Sequence, residues 1–334
     1  MGRLSRDKRD IFYRLAKEKG YRARSAFKLL QVDAEFDLFG STDRGGLVVR
    51  RAVDLCAAPG SWSQVLSDRL YEIRNDEKEK NVVQEGDVSS EDDSPSIVAV
   101  DLQPMAPIDG VLCMQGDITS KQTAESIIQH FKGQRAELVV CDGAPDVTGL
   151  HDIDEFLQGQ LLLSAMLITT HVLCPRGSFV AKIFRGRNIS HLYAQLRLLF
   201  ERVSVAKPSS SRNSSMEAFV VCQNFKGGRY MDLPLEIGGF EDIRDFVPKR
   251  INDEEDEDDI ERREPFASNL PPAVVPFLAC GDISGFAPPG TVLDADKSYP
   301  MDPKDYIAPI APPIDPPYES SIARQKEERR KKAP

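Results

Sequence analysis

Residues 52–60, AVDLCAAPG, decide the fold. AVDLCA (52–57) reads as a short apolar strand, and Pro59-Gly60 breaks it into a tight turn almost without side chains. Ser61 to Leu70 then follows a helical pattern. An apolar strand that turns directly into a helix is the repeating unit of a sheet covered by helices. The unit recurs. IVAVDL (97–102), VLCMQGD (111–117), AELVVCD (136–142), GSFVAKIF (177–184), RVSVAKP (202–208) and EAFVVCQ (217–223) read as further strands. Lys121–Phe131, Glu155–Leu173 and Asn188–Phe200 read as helices between them. Seven strands in this pattern predict an α/β fold with a mostly parallel sheet and helices on both faces.

Ligands of such sheets sit beyond the carboxyl ends of the strands, where the strand order reverses. The turn at Gly60 lets a ligand approach the backbone there. It is not GxGxxG, so a dinucleotide cradle is not indicated. Asp101 ends the second strand, where a carboxylate can accept the two hydroxyls of a ribose. Asp117 ends the third and can hold an adenine amino group. Asp142 ends the fourth. Lys182 lies inside the apolar run FVAKIF, where an ammonium is costly unless it is paired or functional. Glu217 begins the last strand. If that strand runs antiparallel, Asp142, Lys182 and Glu217 meet at one edge, and Lys28, from the helical stretch 25–36, can cover them.

CAAPGSWSQ (56–64), CDGAPDVTG (141–149), KIFRG (182–186), KPSSSRNSSMEAF (207–219) and RARSAFKLL (22–30) carry a resemblance. Over residues 5–225 the chain resembles the FtsJ-type (RrmJ-type) RNA ribose 2′-O-methyltransferases. The resemblance implies a Rossmann-like methyltransferase fold with one antiparallel strand and S-adenosyl-L-methionine as cofactor. It implies a catalytic tetrad on Lys28, Asp142, Lys182 and Glu217, and cofactor contacts on Gly60, Trp62, Asp101, Asp117 and Asp142. Lys182 is the expected general base. A Lys28 cation and a sulfonium would favour its neutral form, whereas Asp142 and Glu217 oppose that, so the balance stays open. CDGAPDVTGLHDIDEF (141–156) and the later VPFLACGDISGF (275–286) resemble the eukaryotic branch acting on the tRNA anticodon loop at positions 32 and 34. That branch implies two accessory partners, a WD-repeat protein and an armadillo/HEAT-like protein. Ribosomal RNA, an mRNA cap, a nicotinamide oxidoreductase and a non-catalytic RNA-binding protein stand as alternatives.

The charge first argues against nucleic acid. The chain of 334 residues has a formal charge of −10. That charge is uneven. Residues 1–30 carry ten Lys or Arg against three acidic residues. Residues 71–95 and 251–264 each hold nine acidic residues, and they leave the rest of the chain at +3. RNA phosphate contacts are expected at Arg22, Arg24, Arg185, Arg187 and Arg212.

The expected organisation is a basic N-terminal region (1–50) and a catalytic domain (51–225) with a disordered acidic insertion at 71–95. An acidic linker (226–264) and a partner-binding tail (265–334) with 14 of the 23 prolines follow. The N-terminus is too charged for a signal peptide, and no stretch is apolar enough for a membrane span. The six scattered cysteines form no CxxC, so reduced thiols, no metal site and a cytoplasmic setting are expected.

Overall fold

The computed structural model describes residues 10–40, 47–81, 96–144, 151–184, 189–212, 215–228, 231, 275–280, 295, 307 and 310. Two helices precede the sheet, α1 (Ile11–Glu18) and α2 (Ala26–Phe36). The sheet strands are β1 (Arg51–Leu55), β2 (Ser96–Asp101), β3 (Val111–Gln115) and β4 (Ala136–Cys141), then β5 (Leu173–Phe184), β6 (Phe200–Pro208), β7 (Glu217–Phe225) and β8 (Phe277–Cys280). Between them lie α3 (Ser61–Asn81), α4 (Lys121–His130), α5 (His151–Val172) and α6 (Ile189–Leu199).

The strand order is β3-β2-β1-β4-β5-β7-β6-β8. β7 runs antiparallel to both β5 and β6, and the remaining pairings are parallel. The order therefore reverses between β1 and β4, which is where a ligand crevice opens.

Alternation along the strands sorts the core into two layers. Val53, Leu55, Val139, Ala181 and Val220 pack against α4, α5 and α6. Ala52, Val140, Val180, Phe219 and Val221 pack against α2 and α3. The period of two thus assigns Asp54, Asp142, Lys182 and Glu217 to the α2/α3 face, because each lies an even number of residues from a member of that layer. The polar residues of these apolar strands share one side of the sheet before any contact between them is considered.

Three features differ from the sequence expectation. The sheet has eight strands rather than seven, because Phe277–Cys280 of the Pro-rich tail pairs with β6. An edge strand exposes unpaired backbone groups, and a short apolar run covers them. Here Val205 N–H donates to Pro276 O at 2.8 Å and Ser209 N–H to Cys280 O at 2.7 Å, with Cys280 buried. Second, α3 continues to Asn81, into the segment expected to be disordered from residue 71. Its Glu, Lys and Arg residues are good helix formers, and Arg69 pairs with Glu72 one turn on at 3.0 Å. The remainder of that insertion (82–95) and the second acidic run (251–264) lie outside the described residues. Third, α1 forms inside the basic N-terminal region. Asp10 caps it, accepting from Phe12 N–H at 3.0 Å and Tyr13 N–H at 3.3 Å, while Phe12 and Ala16 are buried.

Candidate active site

The first strand leads into the turn through Cys56, at φ 59°, and Gly60, at φ 102°. That backbone at Gly60 suits glycine alone, and a methyl group there would come within 2.7 Å of the Arg22 guanidinium and 2.9 Å of Ile108. Arg22 straps the turn to the loop after β2, donating to the carbonyls of Pro59 at 3.0 Å, Ala106 at 2.9 Å and Pro107 at 2.9 Å. Trp62 is 2 % exposed. Its indole N–H donates to Ser25 O at 2.8 Å and its ring packs on Phe219, so it ties α3 to α2 and offers no open face at the turn.

Asp101 closes β2 and faces the same turn. Its Oδ2 accepts from Ala58 N–H at 2.9 Å and its Oδ1 from Gln103 N–H at 2.8 Å. Asp117 lies two residues past β3, exposed, with Oδ1 accepting from the Thr119 amide and hydroxyl. With Asp142 after β4, the strand ends present three carboxylates. Such a rim repels a pyrophosphate and suits a ligand rich in hydroxyl and amino donors. The glycine turn and the carboxylate rim therefore fit a nucleoside carrying an amine or other cation.

The four polar residues singled out from sequence form two ion pairs on the α2/α3 face. Lys182 Nζ lies 2.8 Å from Asp142 Oδ1 and also donates to Asp142 O at 2.8 Å. Lys28 Nζ lies 2.7 Å from Glu217 Oε1, and 5.7 Å from the centre of the Phe219 ring. Phe184 pairs with Glu217 and Lys182 with Phe219 across β5 and β7. The antiparallel course of β7 thus brings its first residue to the edge where the other strands end.

Burial works against the Lys182 ammonium, but Asp142, through charge and hydrogen bond, and then Glu217 outweigh it, and its pKa is raised. Burial likewise opposes the Glu217 carboxylate, and Lys28, Lys182 and the Ser211 hydroxyl overcome it, holding its pKa down to about 2. The sign for stability follows. A carboxyl depressed from 4.5 contributes fully above pH 4.5 and loses that contribution as the pH falls toward about 2. Glu217→Gln is therefore expected to flatten the loss of stability between pH 5 and pH 3, as urea unfolding at each pH will read.

Sequence reasoning missed three residues here. Asp54 is fully buried within β1, with Ser63 Oγ donating to its Oδ2 at 2.5 Å. Burial pushes its carboxyl up to about 7, with Ser63 opposing and Asp142 and Asp101 adding to the rise. The signal was the one that exposed Lys182, an ionisable residue in an apolar strand. Gln31 and Ser211, both buried beside the Lys28–Glu217 pair, carried no such signal.

The expected RNA-facing arginines divide. Arg22 and Arg24, where phosphate contacts were expected, are engaged by acceptors of the fold, exposed loop carbonyls for Arg22 and buried groups for Arg24. Arg24 pairs with Asp10 and donates to Ser210 O. Arg212 lies 3.5 Å from the same Asp10 carboxylate. Arg185 and Arg187 lie outside the described residues. The six cysteines are free thiols, and among the described residues no group of His, Cys, Asp and Glu could hold a metal ion. No helix among the described residues is long and apolar enough to cross a membrane.

Residues 21–225 match the FtsJ-like methyltransferase family. The chain is 49 % identical over 329 residues to a human tRNA (cytidine(32)/guanosine(34)-2′-O)-methyltransferase, covering 96 % of this chain and 84 % of that one. It is 48 % identical over 326 residues to the enzyme of the same name from Schizosaccharomyces pombe, covering 96 % and 97 %. An AdoMet-dependent rRNA methyltransferase, SPB1, from Pyricularia oryzae is 40 % identical over 223 residues, covering 67 % of this chain and 22 % of that one.

Proposed function

The chain belongs to the FtsJ-like methyltransferase family, and from that premise we propose that it transfers a methyl group from S-adenosyl-L-methionine to ribose 2′-hydroxyls of the tRNA anticodon loop, at positions 32 and 34. The observation that carries the chemistry is the meeting of the Lys182–Asp142 and Lys28–Glu217 pairs at the strand ends beside the glycine turn. The choice of tRNA rests on the relatives. The human and Schizosaccharomyces pombe enzymes named for positions 32 and 34 match 96 % of the chain, whereas the likeness to the ribosomal RNA enzyme spans two thirds of it.

In the proposed complex, the backbone at Gly60 allows close approach of the cofactor. Asp101 would receive its ribose hydroxyls, Asp117 its adenine amine, and Asp142 would serve the reacting end. S-adenosylmethionine bound there supplies an electrophilic methyl on a sulfonium. The protein's own groups do the rest. Lys182, neutral, accepts the 2′-hydroxyl proton at Nζ. Asp142 would fix the direction of that nitrogen, and Lys28 with Glu217 would hold the ribose and orient its 2′-oxygen for transfer. In the ligand-free protein Lys182 is held protonated by its two acidic neighbours, so it must lose a proton before it acts.

Arg185, Arg187 and Arg212 would bind phosphates near the anticodon loop, and Arg22 and Arg24 would act indirectly, by holding the turn and α1. A WD-repeat protein and an armadillo/HEAT-like protein are the proposed partners, with the Pro-rich tail beyond β8 as their docking segment. The proposed setting is the cytoplasm, and the domain limits stand as proposed above, with β8 added to the sheet.

Mapping ribose methylation after incubating the purified protein with S-adenosylmethionine and either tRNA or ribosomal RNA tests the function. Methylation at tRNA positions 32 and 34 is expected, and label in ribosomal RNA alone overturns the reading. Gly60→Ala is expected to weaken cofactor binding by calorimetry at least ~10-fold, because a methyl at positive φ displaces Arg22 and reshapes the turn.

A further inference from the structure

Lys28 and Glu217 form one ion pair, yet they come from a helix and a strand separated by most of the domain. Their spacing depends on whatever holds α2 to the start of β7. One turn along α2 from Lys28, on the same face, lies Gln31. It is buried, and its carboxamide grips the loop between β6 and β7. Its Nε2 donates to Ser209 Oγ at 3.1 Å. Its Oε1 accepts from the Ser210 amide at 3.0 Å and from the Ser210 hydroxyl at 2.9 Å. The next residue, Ser211, donates its hydroxyl to Glu217 Oε1 at 2.8 Å, the oxygen that faces Lys28. The loop is braced from outside as well, since Ser209 N–H donates to Cys280 O of β8 at 2.7 Å, and it is closed within itself by a turn in which Ser211 N–H donates to Pro208 O at 2.9 Å.

We propose that Gln31 is a positioning residue for methyl transfer, setting the Lys28–Glu217 geometry through the Ser209–Ser211 loop. This rests on the function proposed above. Gln31 contacts neither member of the pair in a hydrogen bond or ion pair, so it acts on the ribose-holding groups only through the loop. Ser210 and Ser211 are themselves buried, so water does not substitute for the lost bonds. A small displacement of a positioning group costs rate rather than affinity for a cofactor held elsewhere. The cofactor turn at Gly60 is anchored independently, by Arg22 and Asp101.

The test uses Gln31→Met, close in shape and without hydrogen-bonding groups, in the full-length protein with tRNA and S-adenosylmethionine. A fall in kcat of roughly 10- to 100-fold is expected, with KM for the cofactor unchanged. Lys28→Met and the double variant complete a cycle. If Gln31 acts through the pair, adding Gln31→Met to Lys28→Met costs little more. Fully additive losses overturn the proposal, since a general loss of structure is indifferent to Lys28. Should Gln31→Met fail to fold, Ser211→Ala replaces it in the same cycle. A readout free of activity is acylation of Lys28 by an amine-directed reagent, followed by mass spectrometry. Lys28 is 11 % exposed, and Gln31→Met is expected to raise its labelling. Unchanged labelling overturns the clamp. A wild-type protein that methylates no tRNA overturns the functional reading alone, and the labelling still decides the clamp.

Discussion

Lys182→Ala is expected to lower kcat for tRNA methylation by roughly 10²- to 10⁴-fold, the range of a lost general base, while cofactor affinity stays near that of the wild type. The variant should fold, because alanine is well suited to the apolar run of β5 and Asp142 keeps some contact with solvent at 17 % exposure. Lys182→Arg separates charge from basicity. A guanidinium does not lose its proton in proteins, so it replaces the cation without accepting the hydroxyl proton. It should be as inactive as the alanine variant. Initial rates with saturating S-adenosylmethionine, and calorimetry for its binding, check both. Retention of most activity by either variant with cofactor binding intact would remove Lys182 from the role of base.

The second large effect is expected from Asp142→Asn, and it is read in pH. Lys182 faces Asp142 through both carboxylate and carbonyl, Glu217 from β7, and Cys141 from its own sheet. Asp142 is the first of the influences that raise its pKa. With the charge removed, the neutral lysine is reached at lower pH, so the acid limb of kcat against pH moves toward acid. The plateau falls by roughly 10-fold to 100-fold, because the lysine is no longer aimed. Stability responds too. A lysine whose folded pKa is raised above 10.5 contributes fully below pH 10.5 and loses that contribution as the pH rises through the raised value. The wild type should show that alkaline loss, and Asp142→Asn should not. Near neutral pH the variant is expected to be less stable by about 3 kcal/mol, the low end for a broken buried pair, since Glu217 and the Asp142 carbonyl remain. Rate–pH profiles and urea unfolding across the same range measure both effects, and an unmoved acid limb would contradict the pairing as the control on Lys182.

Much of this site was legible because strands bury apolar residues so consistently that an exception is visible. Lys182 in FVAKIF was such an exception. Asp54 in AVDLCA is another, a fully buried carboxylate inside β1. Asp101 and Glu217 were legible by position at strand termini. Trp62, Arg22 and Arg24 were less so. A tryptophan or arginine beside a motif reads as available to a ligand, yet each is used to join segments of the chain, the indole to Ser25 O and the guanidinia to Pro59, Ala106, Pro107 and Asp10. α1 was hidden by its own charge. The Lys and Arg residues around Phe12 and Ala16 mark a surface, whereas the burial of those two side chains and the Asp10 cap set the helix.

The sequence by itself determined the alternation of strands and helices, the face of the sheet on which the ionisable residues stand, and the glycine turn at the strand ends. These follow from periodicity and backbone chemistry, which are local. Only the tertiary structure decided that β7 is inserted between β5 and β6, that the tail supplies β8, and that Lys28 meets Glu217 while Lys182 meets Asp142. Those outcomes depend on pairings between residues far apart in the chain. Burial can be read one segment at a time, but the partner of a buried charge is set by which segments pack together.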